Sequence, residues 1–208
     1  YQGNPALGHA IAETATAAGV HTRAHDATSL ALEYGTLVPM RYMNEDKQFK
    51  VVSVSALCTV HNLADSIKLG RAVRQAIEEK FEGNVAVLAS GSLSHRFAQN
   101  GTSEAFLHKV WDPFLETVDH HVVEMWKNGD WKTFCGMLPE YAVKCHGEGM
   151  MHDTAMLLGV LGAEDYQGKA EIVCPYFESS GTGQVVVNLP VDGIPLAATG
   201  IGAGMPVS

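Results

Sequence analysis

The sequence predicts an α/β protein, a sheet carrying helices on its faces. Two runs rich in β-branched and apolar residues, Lys50–Leu57 and Val85–Leu88, read as buried strands. Between them, residues 63–82 place Leu63, Ile67, Leu69, Ala72, Val73 and Ile77 at helical spacing. The alternation continues to the end of the chain, and strands alternating with helices are the pattern of an α/β sheet.

Each element has a local reason. Asn4 is placed to cap a helix over 5–18, with Pro5 at its first position and Gly19 closing it. Residues 20–25 read as a short strand, and 36–43 as an apolar helical stretch interrupted by Pro39. Gly83 stops the helix over 63–82. Asp112-Pro113 opens a helix running to about Trp126, and Asp130 caps the next. His152–Leu161 reads as a helix stopped by Gly162, and Ala170–Cys174 and Gln184–Leu189 as late strands. The Gly- and Ala-rich stretch 195–208 is expected to be a loosely held tail of a single domain over 1–208.

Bulk properties narrow the function. The chain has 208 residues and a formal charge of −9, which argues against nucleic acid as a partner because phosphate binding needs clustered Lys and Arg. No apolar run approaches the roughly 18 residues of a membrane span, and the opening residues do not read as a signal peptide. Cys58, Cys135, Cys145 and Cys174 form no CxxC pair, so reduced thiols and a cytoplasmic setting are expected. Tyr1 stands where an initiator Met is absent, and the chain runs almost at once into a helix. It reads as the C-terminal portion of a longer chain.

Chemistry concentrates in two segments. In Ala89–Arg96 the strand Val85–Leu88 ends in a Ser-Gly turn followed by His95. Ligands of open α/β sheets bind beyond the carboxyl ends of strands, and imidazole is the side chain best matched to proton transfer near neutral pH. Taken alone, a loop histidine held by hydrogen bonds is the commoner reading. In Cys145–Thr154, His146, Glu148, His152 and Asp153 fall within eight positions at the start of an apolar helix. Helix capping and dipole compensation account for such carboxylates without a metal. Together, histidines and a carboxylate also suit non-haem Fe(II), Mn(II) or catalytic zinc. The spacing is not HExxH.

Other patterns are weaker. Ser92 and Ser94 beside His95 suggest a serine hydrolase, but Gly91–His95 is not Gly-x-Ser-x-Gly. Ser179–Gly183 is a Gly turn that lacks the Walker pattern for phosphate. His120 and His121 point about 100° apart on a helix and read as a solvated face. His9, His21, His61 and His108 read as structural.

Taken together, Ser29–Met43, Ala89–Phe97, Gly147–Thr154 and Ser179–Gln184 resemble the class III extradiol ring-cleaving dioxygenases, in particular those acting on 3,4-dihydroxyphenylacetate (homoprotocatechuate). The resemblance runs over essentially the whole chain. It implies a central mixed sheet flanked by helices and an Fe(II) held by two histidines and one carboxylate. A catechol and O2 would be the substrates. His95 would be the acid/base, since the diol must lose a proton to chelate and a proton must return as the O–O bond breaks. Counting back from Leu157–Gly162 places Asp153 at the carboxylate ligand, with Glu148 as competitor because the wider superfamily carries Glu there. Tyr34 would orient substrate or oxygen, although relatives carry Asp-His-Gly where this chain has Glu33-Tyr34-Gly35. Ser180 and Thr182 would line the substrate's carboxylate. The two histidine ligands are expected before Tyr1. A homo-oligomer is implied; the rival readings are a non-catalytic subunit of such an enzyme and a zinc hydrolase or lyase.

Overall fold

The computed structural model of the protein describes residues 1–28, 30–98 and 103–191. The tail expected over 195–208 lies outside the described residues. The chain forms two compact units, Tyr1–Gly91 with Gly149–Val160, and Ser92–Glu148 with Leu161–Ser208.

The first unit is helical. Asn4 accepts a hydrogen bond from Leu7 N–H and starts α1 (Pro5–Ala17), with Pro5 in the first turn. The end of α1 is a Schellman closure, in which Gly19 (φ 87°) donates to Thr16 and Val20 donates to Ala15. α2 (Tyr34–Met43) follows, with Pro39 inside it and no buried residue. Asn62 caps α3 (Leu63–Lys80) through Asp65 N–H at 2.8 Å. Leu7, Ile11 and Ala15 of α1 pack with Leu69, Ala72, Val73 and Ala76 of α3. Further along the chain come α4 (Ser103–Phe106), α5 (Pro113–Asn128), α6 (Trp131–Lys144) and α7 (His152–Leu161). Met156 and Val160 of α7 pack against the α1–α3 core.

Two glycines set the approach of α3 to α7. A Cβ on Gly70 would run into the Met156 carbonyl, and one on Gly159 into the Ile67 carbonyl. The helices touch backbone to backbone there.

In the second unit, Asp112 caps α5 through Phe114 N–H and Gly129 ends it in the left-handed conformation. Asp130 caps α6 through Thr133 N–H. An aromatic cluster fills the core: Trp126 meets Phe134 edge-on at 5.3 Å, Trp131 lies 5.1 Å from Tyr166, and the Trp131 indole donates to the Gly168 carbonyl. β1 (Glu171–Ser179) and β2 (Thr182–Asn188) pair antiparallel, with Ser179 opposite Thr182. Ser180 and Gly181 both have positive φ, the requirement of a tight type I′ hairpin turn.

Among the described residues, the hydrogen-bonded sheet is the two-stranded β1–β2, not a central mixed sheet. Residues 20–25, 50–57 and 85–88 lie outside both strands, and Val51 forms an isolated parallel bridge with Gly3. Val85, Val87 and Leu88 are 38%, 38% and 45% exposed rather than buried. β-branched composition favours an extended backbone, but a strand also needs a partner, and pairing is set by distant chain.

The close crossing of α3 and α7 gives a stability test. Gly159→Ala is expected to cost about 1–3 kcal/mol as an overpacked contact. Gly136→Ala in α6, where a Cβ meets nothing within 4 Å, is expected to stabilise by about 0.5–1 kcal/mol. Urea titrations measure both; equal effects would contradict the close approach.

Candidate active site

Residues 92–95 are held from two sides. On one side Leu93 N–H donates to Gly183 and Gly183 N–H donates to Ser94. On the other, His95 N–H donates to the His146 carbonyl at 2.9 Å and Glu148 N–H donates to Leu93. His95 also forms an isolated bridge with Thr182, and Ser94 with Gly147.

That double pairing brings His95 and Glu148 together. The imidazole Nε2 lies 3.8 Å from Glu148 Oε1, with the two side chains 30% and 21% exposed. The other carboxylate oxygen accepts Ser92 N–H at 2.5 Å. Phe97 stacks on the imidazole, with ring centroids 5.8 Å apart. An imidazole with a carboxylate beside it has the side-chain type suited to taking a proton and returning it.

Behind the segment lies Asp119, fully buried in α5. Its carboxylate accepts from Ser94 Oγ–H at 2.7 Å, Ser94 N–H at 3.2 Å, Tyr141 O–H at 2.6 Å and Tyr176 O–H at 3.0 Å. Burial pushes its carboxyl above the ordinary carboxylate value, against the pull of these donors. Tyr141 and Tyr176 are both pushed up, first by burial and then by the Asp119 charge. Asp119 is not singled out by the sequence motifs. Its signal was an acidic residue on the buried stripe of α5, between Leu115 and Val122.

The serines are occupied elsewhere. Ser94 Oγ donates to Asp119, and Ser92 Oγ accepts from Gln184. Neither hydroxyl is set against His95 as a triad would require. The hairpin turn presents no anion cradle: Ser180, Gly181 and Gly183 N–H donate to the Leu107, Lys109 and Ser94 carbonyls. Thr182 is buried, and its hydroxyl donates to Ser179 O and accepts from Gln184. Ser180 sits at the tip of the turn, where its carbonyl accepts Ala98 N–H.

The other candidates belong to the first unit. Asp153 lies in the first turn of α7, against Gly91, where any Cβ would collide with its carboxylate. His152 is buried, with Nδ1 2.7 Å from Ser66 Oγ. Burial holds its imidazole below the usual histidine range, outweighing a hydrogen bond to the Cys58 backbone. Its ring is thus committed to Ser66 and Cys58. Tyr34, at the start of α2, is exposed. In the second unit His146 is exposed with a positive φ, and burial raises the Cys145 thiol to about 11. Among the described residues, no three His, Cys, Asp or Glu side chains cluster closely enough to hold a metal ion. The carboxylates suit a hard divalent ion chemically, but the described residues do not complete a binding set.

Comparison with known proteins adds an independent line. Residues 1–190 match the family described as the catalytic LigB subunit of aromatic ring-opening dioxygenase. A protein of Escherichia coli named 3,4-dihydroxyphenylacetate 2,3-dioxygenase is 54% identical over 180 residues, which cover 86% of this chain and 65% of that protein. A protein of Clostridium acetobutylicum is 28% identical over 165 residues, 78% of this chain and 32% of its own length. The chain therefore spans 65% and 32% of the lengths of these two relatives.

The raised carboxyl of Asp119 gives a pH test. A group whose folded value is raised contributes stability below its unfolded value, here 3.8, and loses it as pH rises through the folded value. Urea midpoints of the wild type are therefore expected to fall relative to Asp119→Asn as pH increases above 3.8. A difference that stays constant with pH would contradict the burial of an ionisable group at this position.

Proposed function

The chain belongs to the family of catalytic LigB subunits of aromatic ring-opening dioxygenases, and from that premise we propose that it takes part in extradiol opening of 3,4-dihydroxyphenylacetate with O2 at Fe(II). Fe(II), when bound, would supply Lewis acidity and redox chemistry toward the diol and O2. Of the two carboxylates, Asp153 is assigned as its ligand. Glu148 is assigned to His95, because one of its oxygens accepts Ser92 N–H and the other faces the imidazole. That pairing is the observation that carries the reading.

The work given to this chain is proton handling. His95 takes a proton from a catechol hydroxyl, and the Glu148 carboxylate stabilises the resulting imidazolium. The same imidazole later delivers the proton to oxygen. Phe97 lies nearly parallel to the ring, with centroids 5.8 Å apart. Tyr34 is assigned to orienting substrate or oxygen, and Ser180 with Thr182 to the wall near the substrate's carboxylate.

The setting is read as cytoplasmic and the assembly as a homo-oligomer. The cysteines are free thiols, and no helix among the described residues is long and apolar enough to cross a membrane. Tyr34, Leu37, Val38 and Tyr42 give α2 an exposed apolar face suited to contact between subunits.

Oxygen uptake by the full-length protein, supplied with Fe(II) and 3,4-dihydroxyphenylacetate, tests the proposal. One O2 consumed per ring opened is expected, and no uptake would overturn it. His95→Phe is expected to keep the metal and slow turnover by about 10²–10⁴-fold, the range of acid–base catalysis. Unchanged turnover would remove His95 from the reaction.

A further inference from the structure

Asp119 is a carboxylate buried at 0% exposure, and no Lys, Arg or His forms an ion pair with it among the described residues. Removing such a group from water is costly unless hydrogen bonds replace the lost hydration. Four donor groups do so, and two of them, the amide and the hydroxyl, belong to one residue, Ser94. Main chain and side chain are both pinned immediately before His95. The remaining donors come from Tyr141 in α6 and Tyr176 in β1. On β2, Gly183 approaches so closely that a Cβ would collide with Asp119 Oδ2, while its N–H holds the Ser94 carbonyl. One carboxylate thus ties α5, α6 and both strands to the residue that precedes the acid/base.

We propose that Asp119 is a positioning residue for His95, fixing the backbone at Ser94 and so the direction in which the imidazole leaves the segment. An apolar side chain in its place would leave Ser94 N–H without its carboxylate acceptor. A displacement of about 1 Å at a reacting group is enough to cost on the order of 10²-fold in rate. The inference rests on the reading of His95 as the acid/base.

The test is a double-mutant cycle on the full-length enzyme. Asp119→Asn keeps the shape and one oxygen acceptor, and the three hydroxyls can rotate to accept from the new amide. It is expected to lower kcat by about 10–100-fold with KM within about twofold. In a His95→Phe background the same change is expected to cost less than about twofold, because the group it positions is gone. Equal losses in both backgrounds, or a rise in KM with kcat unchanged, would overturn the proposal.

A second readout needs no activity. Amide hydrogen exchange at His95 and Gly183 is expected to quicken in Asp119→Asn while the urea midpoint still shows a folded protein; unchanged exchange would overturn positioning. Should Asp119→Asn fail to fold, Tyr176→Phe removes one donor at the half-exposed edge of the cluster and enters the same cycle. A smaller loss confined to the His95-containing background supports the proposal, and a loss shared by both backgrounds contradicts it. If the wild type takes up no oxygen, the functional reading fails, and the exchange measurement alone decides the positioning claim.

Discussion

A carboxylate without a cation can remain in a protein interior only if donors are built around it, and in the second unit that requirement falls on Asp119. Ser94, Tyr141 and Tyr176 meet it. Meeting it fixes where α6 and β1 lie with respect to α5, and it leaves no room for a side chain at residue 183. The hydrogen bonds that pair Leu93–Ser94 with Gly183, and His95 with His146, then extend a geometry already fixed at Ser94. His95 emerges from that frame half-buried, its Nε2 3.8 Å from Glu148 Oε1. Rigid support behind and an accessible imidazole in front are what general acid–base chemistry asks of a histidine.

Much of the helical structure was legible in the sequence because helix ends are written locally. Asn4 with Pro5, Asp112 with Pro113, and Asp130 all cap where their residue types predict. Gly19 and Gly162 stop helices in the left-handed region. The late strands were also legible, although β1 runs five residues beyond the expected Cys174. The earlier strands were not, since Lys50–Leu57 and Val85–Leu88 have the composition of strands without a ladder among the described residues. Composition sets φ and ψ; partners come from elsewhere in the chain.

The site divides in the same way. His95 could be singled out because it follows an apolar run and a Ser-Gly turn. Its pairing with Glu148 could not, because it depends on two segments about fifty residues apart meeting through backbone hydrogen bonds. Asp119 was hidden for a related reason: one acidic residue on an apolar stripe is visible in the sequence, but its donors are scattered over residues 94, 141 and 176. His152 shows the converse. Proximity to Asp153 in sequence suggested a shared metal, whereas burial turns the ring toward Ser66.

Under the proposed function, two carboxylates five residues apart divide the work, Glu148 serving the imidazole and Asp153 the metal. Metal analysis of the full-length protein carrying Glu148→Gln or Asp153→Asn, each loaded with Fe(II) and then desalted, tests this most directly. Glu148→Gln is expected to retain iron near the wild-type level, and Asp153→Asn to lose it. Retention by Asp153→Asn together with loss by Glu148→Gln would contradict that division.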